Sequence, residues 1–198
     1  LFFYCFGMII SQKNLIFDDS FITYRYSKNL AQGYGITWNP NEKPVEGYSN
    51  FLLVVVLAPF IKMGFSFLLI TRIMSLVCAG LMAYYLFRIS RDTYKIQIEL
   101  AIIISVLFLL LSYSIPLSMV GLETVLFSFT LFLAFYEVSK FFATGQKSYA
   151  YLFGFITFVA FLLRPEAILI LVSVGCVIFV NFMEKRLLWN KALKIFMI

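Results

Sequence analysis

Apolar residues in this chain are gathered into runs: Phe67 to Phe87, Ile98 to Met119, Leu122 to Phe142, Tyr149 to Leu163 and Ala167 to Phe182. A helix needs about 20 apolar residues to cross the hydrocarbon of a bilayer, and most of these runs approach that length. They are expected to be transmembrane helices. The run from Tyr149 is short, at roughly 22 Å, but tilt or local thinning of the bilayer lets it span.

Leu1 to Ile10 reads as the tail of another hydrophobic segment. The alternative, a cleavable signal peptide, lacks a basic leader and a small-residue cleavage pattern before Gln12. Because the chain begins at Leu1 and stops at Phe196 to Ile198 as apolar residues resume, both ends are expected to be cut from a longer protein. The expected fold class is all-α: a polytopic transmembrane helical bundle forming one membrane domain over 1–198, with about six membrane helices and an outer loop over 11–66.

Two shorter helices are expected in that loop. Ser20 to Gln32 is the first, with Asp18 and Asp19 before it and Gly33 as its stop. Phe51 to Ile61 is the second; it covers only about 16 Å against a core of roughly 30 Å, which suits a juxtamembrane helix in the outer leaflet. Ser49 or Asn50 is placed to cap it.

Composition agrees with membrane residence. With 62% hydrophobic and 13% charged residues, 198 residues have too little polar surface to coat a soluble globule. Cys5, Cys78 and Cys176 all lie in apolar runs, where cysteine acts as a small core residue rather than a ligand or a disulfide partner.

The net charge of +6 does not form a basic stripe with interleaved aromatics, so nucleic acid is not an expected partner. The cations fall between hydrophobic segments instead. Arg88, Arg91 and Lys95, then Lys140 and Lys147, then Lys185, Arg186, Lys191 and Lys194 mark cytoplasmic connections. The short connections around Ser118 to Gly121 and Arg164 to Glu166 fall on the other side.

This topology gathers Asp18, Asp19, Glu42, Glu46, Glu123, Arg164 and Glu166 at the outer face, although they are scattered along the chain. Charged groups near bilayer depth are expensive, so several entering from separate loops suggest a polar cavity facing outward. Each also has an ordinary explanation. Asp18 and Asp19 suit a helix start, Glu123 suits a helix dipole, and Pro165 suits the first position of a helix. Arg164 could be a snorkelling anchor paired with Glu166, and Glu46 a solvated loop acid. Tyr24, Tyr26, Tyr34, Trp38 and Tyr48 suit sugar stacking, but an interfacial aromatic belt gives the same enrichment.

The run from Phe17 through Asp18, Asp19, Tyr24, Arg25 and Tyr26 to Leu30, then Gly33-Tyr34-Gly35, Asn39-Pro40-Asn41-Glu42 and Val45-Glu46-Gly47-Tyr48-Ser49-Asn50, forms a recognisable pattern. Gly121-Leu122-Glu123-Thr124 and Arg164-Pro165-Glu166 follow it in order. Together these segments resemble the GT-C glycosyltransferases, and more narrowly the bacterial branch that includes the terminal arabinofuranosyltransferases of mycobacterial cell walls. The resemblance runs from Phe17 to Glu166 and matches the N-terminal part of such an enzyme.

The resemblance implies an inverting transferase of the bacterial cytoplasmic membrane with its active site on the outer face. It would move a sugar from a polyprenyl-phosphate donor to a glycan, lipid or protein acceptor of the cell envelope. Asp18 and Asp19 match the position of the base that takes the proton of the acceptor hydroxyl. Arg164 is the candidate for the donor phosphate, with Arg72 as a weaker one, and Glu166, Glu123, Glu46 and Arg25 are further substrate-binding candidates. Lys43 and Lys62, flanking the second short helix, are placed to help with the lipid phosphate. No cofactor is expected; the outer acids could bind a divalent metal but show no diagnostic ligand spacing.

Two other classes share some of these features. A lipid or solute transporter would also need intramembrane charges, but in the middle of several spans, whereas Leu100 to Leu111 is almost wholly apolar. In a non-catalytic membrane subunit the acids would be caps and the arginine an anchor.

Overall fold

The computed structural model describes residues 18–40, 42–92, 94–111 and 120–196. Among them every regular element is helical. The elements are α1 (Asp18–Ala31), α2 (Phe51–Lys62), α3 (Phe67–Asp92), α4 (Ile98–Leu111), α5 (Thr124–Thr144), α6 (Lys147–Leu163), a 3₁₀ turn (Pro165–Ala167) and α7 (Ile168–Phe196). The hydrophobic segment expected at Leu1 to Ile10, with Cys5, lies outside the described residues.

Two of these helices, α3 and α5, are long and apolar enough to cross a membrane. At about 1.5 Å per residue, the 26 residues of α3 reach roughly 39 Å and the 21 of α5 roughly 31 Å. The helices α2, α4, α6 and the first part of α7 are apolar but shorter. Residues 112–119 of the run expected from Ile98 to Met119 lie outside the described residues.

Where a run ends in the sequence is not always where its helix ends. Arg88 and Asp92 close an i,i+4 ion pair of 2.7 Å that carries α3 past the apolar run to Asp92. The run expected to stop at Phe182 continues as one α7 helix to Phe196, straight through the basic stretch. No Gly or Pro interrupts it there, so nothing local breaks the ladder.

The core is built around an α5–α6 hairpin. Gly145, at φ +70°, ends α5, and its N–H closes the last turn on the Phe141 carbonyl. With only Gly145 and Gln146 between them, α5 and α6 pack along each other as an antiparallel pair. The other helices add to this pair: α3 packs on α5, α4 on α3, and α7 on α6.

The helix α2 seats its apolar side against the hairpin rather than resting apart from it. Leu53 and Leu57 of α2 form one buried cluster with Leu126 of α5 and Leu163 of α6. On its other side α2 carries α1, whose buried face is largely polar: Ser20, Thr23, Tyr26, Ser27 and Asn29. A polar face cannot be held by the hydrophobic effect, so α1 needs specific hydrogen bonds to stay in place.

Tyr26 and Asn29 supply some of them. Tyr26, 1% exposed, donates its hydroxyl proton to the Val45 carbonyl at 2.6 Å and accepts from the Gly47 N–H at 3.0 Å. Asn29 Nδ2 donates to the carbonyls of Thr37 and Trp38 at 2.8 and 3.0 Å. The loop between α1 and α2 is thereby tied along the length of α1. A Cβ at position 47 would sit 2.9 Å from the Tyr26 hydroxyl, so glycine is what lets this strap lie close.

Candidate functional site

The hairpin decides which termini meet. Folding α5 back on α6 brings the start of α5 and the end of α6 to the same end of the pair. The turn into α5 passes through Gly121 at φ +83°, a left-handed conformation that favours glycine. It leaves Glu123 at the N-cap position of α5, and Arg164 at the C-cap of α6.

Glu123 makes no capping bond to its own helix. Its side chain is buried, and both carboxylate oxygens are taken. Oε1 accepts from Arg164 Nε at 2.7 Å and Oε2 from Asn50 Nδ2 at 2.8 Å. Charge-assisted and amide donors on its two oxygens replace the water that burial removes. Asn50 Nδ2 spends its second proton on Thr23 Oγ1, also at 2.8 Å. A continuous relay therefore joins α1, α2, α5 and the α6–α7 junction through Thr23, Asn50, Glu123 and Arg164.

Asp19 stands one turn before Thr23, on the same face of α1. The result is a cavity of about 170 Å³ whose polar lining includes Asp19, Thr23, Tyr48, Asn50, Glu123 and Arg164. Asp19 is exposed at its rim, while Asn50 and Glu123 are buried at 6% and 3%. That volume is room for several water molecules or one small polar group of a larger ligand.

The field in the cavity is mixed. Two carboxylates face one guanidinium, but the N-terminal ends of α1, α2 and α5 also point here, each contributing partial positive charge. The Arg164 side chain is 36% exposed, with its guanidinium carbon 5.8 Å from the Phe127 ring. Among the described residues its hydrogen bond is made by Nε. Burial pushes the Tyr48 hydroxyl above its ordinary titration range, with the nearby Glu46 charge and Tyr26 adding to it.

Of the residues singled out in the sequence, the fold brings Asp19, Glu123 and Arg164 to one cavity. Asp18 is exposed and does not line it, nor do Glu46 and Glu166, both exposed. Arg164 pairs with Glu123 rather than with its neighbour Glu166. Arg25 turns to the loop between α1 and α2: its guanidinium lies 4.2 Å above the Trp38 ring, Nε donates to the Trp38 carbonyl at 2.9 Å, and Nη2 bonds Asn39 Oδ1. Glu42 closes that same loop by accepting from Asn39 Nδ2 at 2.8 Å. Arg72 belongs to α3, and Lys43 and Lys62 line other surface hollows.

Asn50 and Thr23 carry more of the site than the sequence suggests. Asn50 occupies the N-cap position of α2, as expected, but makes no side-chain cap bond. Its amide protons go to Thr23 and Glu123, and its Oδ1 is buried without a hydrogen-bond partner. An unpaired buried acceptor costs about 1–3 kcal/mol. The run Gly47-Tyr48-Ser49-Asn50 before an apolar helix looks the same whether the asparagine caps its own helix or reaches to another.

Among the described residues, no group of three or more His, Cys, Asp or Glu is placed to hold a metal ion. In comparisons with known proteins, no family model, no curated protein and no solved structure matches this chain.

Proposed function

We propose that this chain is the site-bearing part of a polytopic membrane glycosyltransferase of the bacterial cytoplasmic membrane, moving a sugar from a polyprenyl-phosphate donor to an acceptor hydroxyl at the outer face. One observation carries the reading: an exposed carboxylate, Asp19, and a part-exposed guanidinium, Arg164, line one cavity although they stand 145 positions apart in the chain. A base for one oxygen and a cation for another is what such a transfer requires.

In this reading Asp19 takes the proton from the acceptor hydroxyl as that oxygen attacks the anomeric carbon. The bond from that carbon to the phosphate oxygen breaks, and the polyprenyl phosphate leaves with the electron pair. Its charge is met by Arg164 Nη groups and the helix N-termini, so no proton need be given to it. Attack opposite the leaving group inverts the anomeric centre. The apolar helices α3 and α5 would hold the cavity at the membrane surface, where the lipid tail of the donor stays in the bilayer.

The test is transfer from a panel of radiolabelled polyprenyl-phosphate sugars by membranes containing the full-length protein. Membranes carrying Asp18→Asn together with Asp19→Asn are the comparison. Transfer by the wild type, lost in the variant with insertion unchanged, is the expected result. Absence of transfer from every donor overturns the reading and favours transport.

A further inference from the structure

The geometry points to Asn50 as a positioning residue that sets Arg164 for an oxyanion, the phosphate of the donor lipid; this rests on the reading above. Asn50 stands at the N-cap of α2 but makes no side-chain cap bond, and at 6% exposure it is too deeply buried to serve as a surface contact. What distinguishes it is that one amide nitrogen joins two acceptors on different helices, Thr23 Oγ1 and Glu123 Oε2, each at 2.8 Å. Few side chains could do this. Serine and threonine have a single donor, aspartate would set a second carboxylate against Glu123, and an apolar residue would leave Glu123 Oε2 without a partner.

The consequence falls on Arg164. Its Nε is held by Glu123 Oε1, and Glu123 is oriented on its other oxygen by Asn50. With Nε anchored, the planar guanidinium presents its two Nη groups as a fork, the arrangement suited to two oxygens of one phosphate. Without Asn50 the Glu123 carboxylate is free to rotate, and the fork loses its fixed direction. Asn50 thus acts on the phosphate only through Arg164. Its bond to Thr23 ties the same fork to the face of α1 that carries Asp19.

The test is a binding cycle that needs no turnover. The full-length protein in detergent is titrated with a short-chain polyprenyl phosphate lacking sugar, in wild type, Asn50→Ala, Arg164→Ala and the double variant. Thermal unfolding of each is followed alongside. Asn50→Ala should raise Kd about five- to tenfold and Arg164→Ala about 10- to 100-fold. The double variant should match Arg164→Ala alone, because a residue acting through Arg164 has nothing to act on once it is gone. A role in stability alone would lower the unfolding temperature and leave Kd in Asn50→Ala unchanged, and independent contributions would make the two effects on Kd multiplicative; either result overturns the proposal. Thr23→Val, nearly isosteric, frees the other end of the amide and reads the same coupling if Asn50→Ala does not fold. Failure of the wild type to bind the phosphate lipid removes both this inference and the donor assignment, whereas binding with multiplicative losses removes the inference only.

Discussion

Arg164 and Glu123, 41 positions apart in the chain, form a 2.7 Å ion pair in which the carboxylate is almost wholly buried and the guanidinium half open. The asymmetry matters. The buried partner has no water to replace a lost donor, while the part-exposed partner keeps a side towards solvent.

Removing the cation is therefore the harsher change for the fold. Arg164→Ala strands a carboxylate that retains only the Asn50 amide, and is expected to destabilise by about 3 kcal/mol. Glu123→Gln keeps an oxygen for Nε and should cost less, about 1 kcal/mol, although it sets its amide NH2 against the Asn50 amide, donor to donor. Thermal unfolding of the purified variants in detergent checks the order; equal losses would mean that the pair is screened as a surface bridge is.

The two neighbouring aspartates should behave differently. Asp19 lines the cavity and Asp18 does not. Asp19→Asn is expected to lower transfer by about 10²-fold or more, and Asp18→Asn to leave it within a few-fold of wild type. Initial rates with saturating donor in membranes of matched protein content decide this. The reverse order would move the base to Asp18.

Gly121 should not tolerate a side chain. A Cβ there would lie 2.9 Å from Leu68 Cδ2 and 3.4 Å from Ser20 Cβ, at a φ of +83°. Gly121→Ala is expected to cost about 1–2 kcal/mol from the backbone conformation, with the contact adding to it. A lowered unfolding temperature with reduced donor affinity is the expected pair of results, because the turn sets Glu123.

The strap over α1 depends on one hydroxyl. Tyr26→Phe keeps the ring packing against Trp38 and Tyr48 but removes the bonds to the Val45 carbonyl and the Gly47 N–H. The expected cost is about 1–3 kcal/mol. Hydrogen exchange should quicken at residues 45–48 and stay unchanged in α5 and α6.

Arg25 offers a contrast within the same loop. Arg25→Gln removes the contact over Trp38 and should loosen the loop at residues 38–42. Because Arg25 lies outside the cavity, transfer from saturating donor should fall by no more than a few-fold. A loss as large as that of Asp19→Asn would bring Arg25 back to the substrate.

Helical segments and their breaks were legible because their causes are local. Apolar runs mark α2 through α7, and Gly121 marks the turn before Glu123. The ends of α3 and α7 were less so, since a helix once formed continues through charged residues when nothing breaks the ladder. At the site, Asp19, Glu123 and Arg164 were legible as candidates, each standing out as a charge beside an apolar segment. Their partners were not.

The sequence by itself determined that this chain is helical and strongly apolar, and which charged residues stand where its helices begin and end. Periodicity, glycine position and side-chain chemistry act over a few residues, so they can be read in order along the chain. Only the tertiary structure decided that Arg164 pairs with Glu123 instead of the nearby Glu166, that Asp19 rather than Asp18 lines the cavity, and that Asn50 reaches past its own helix to two others. Adjacent helical residues point about 100° apart, and hydrogen-bond partners are selected by which faces the packed helices turn to each other. That selection is made by the burial of apolar residues such as Leu53, Leu57, Leu126 and Leu163, which lie outside the polar site they position.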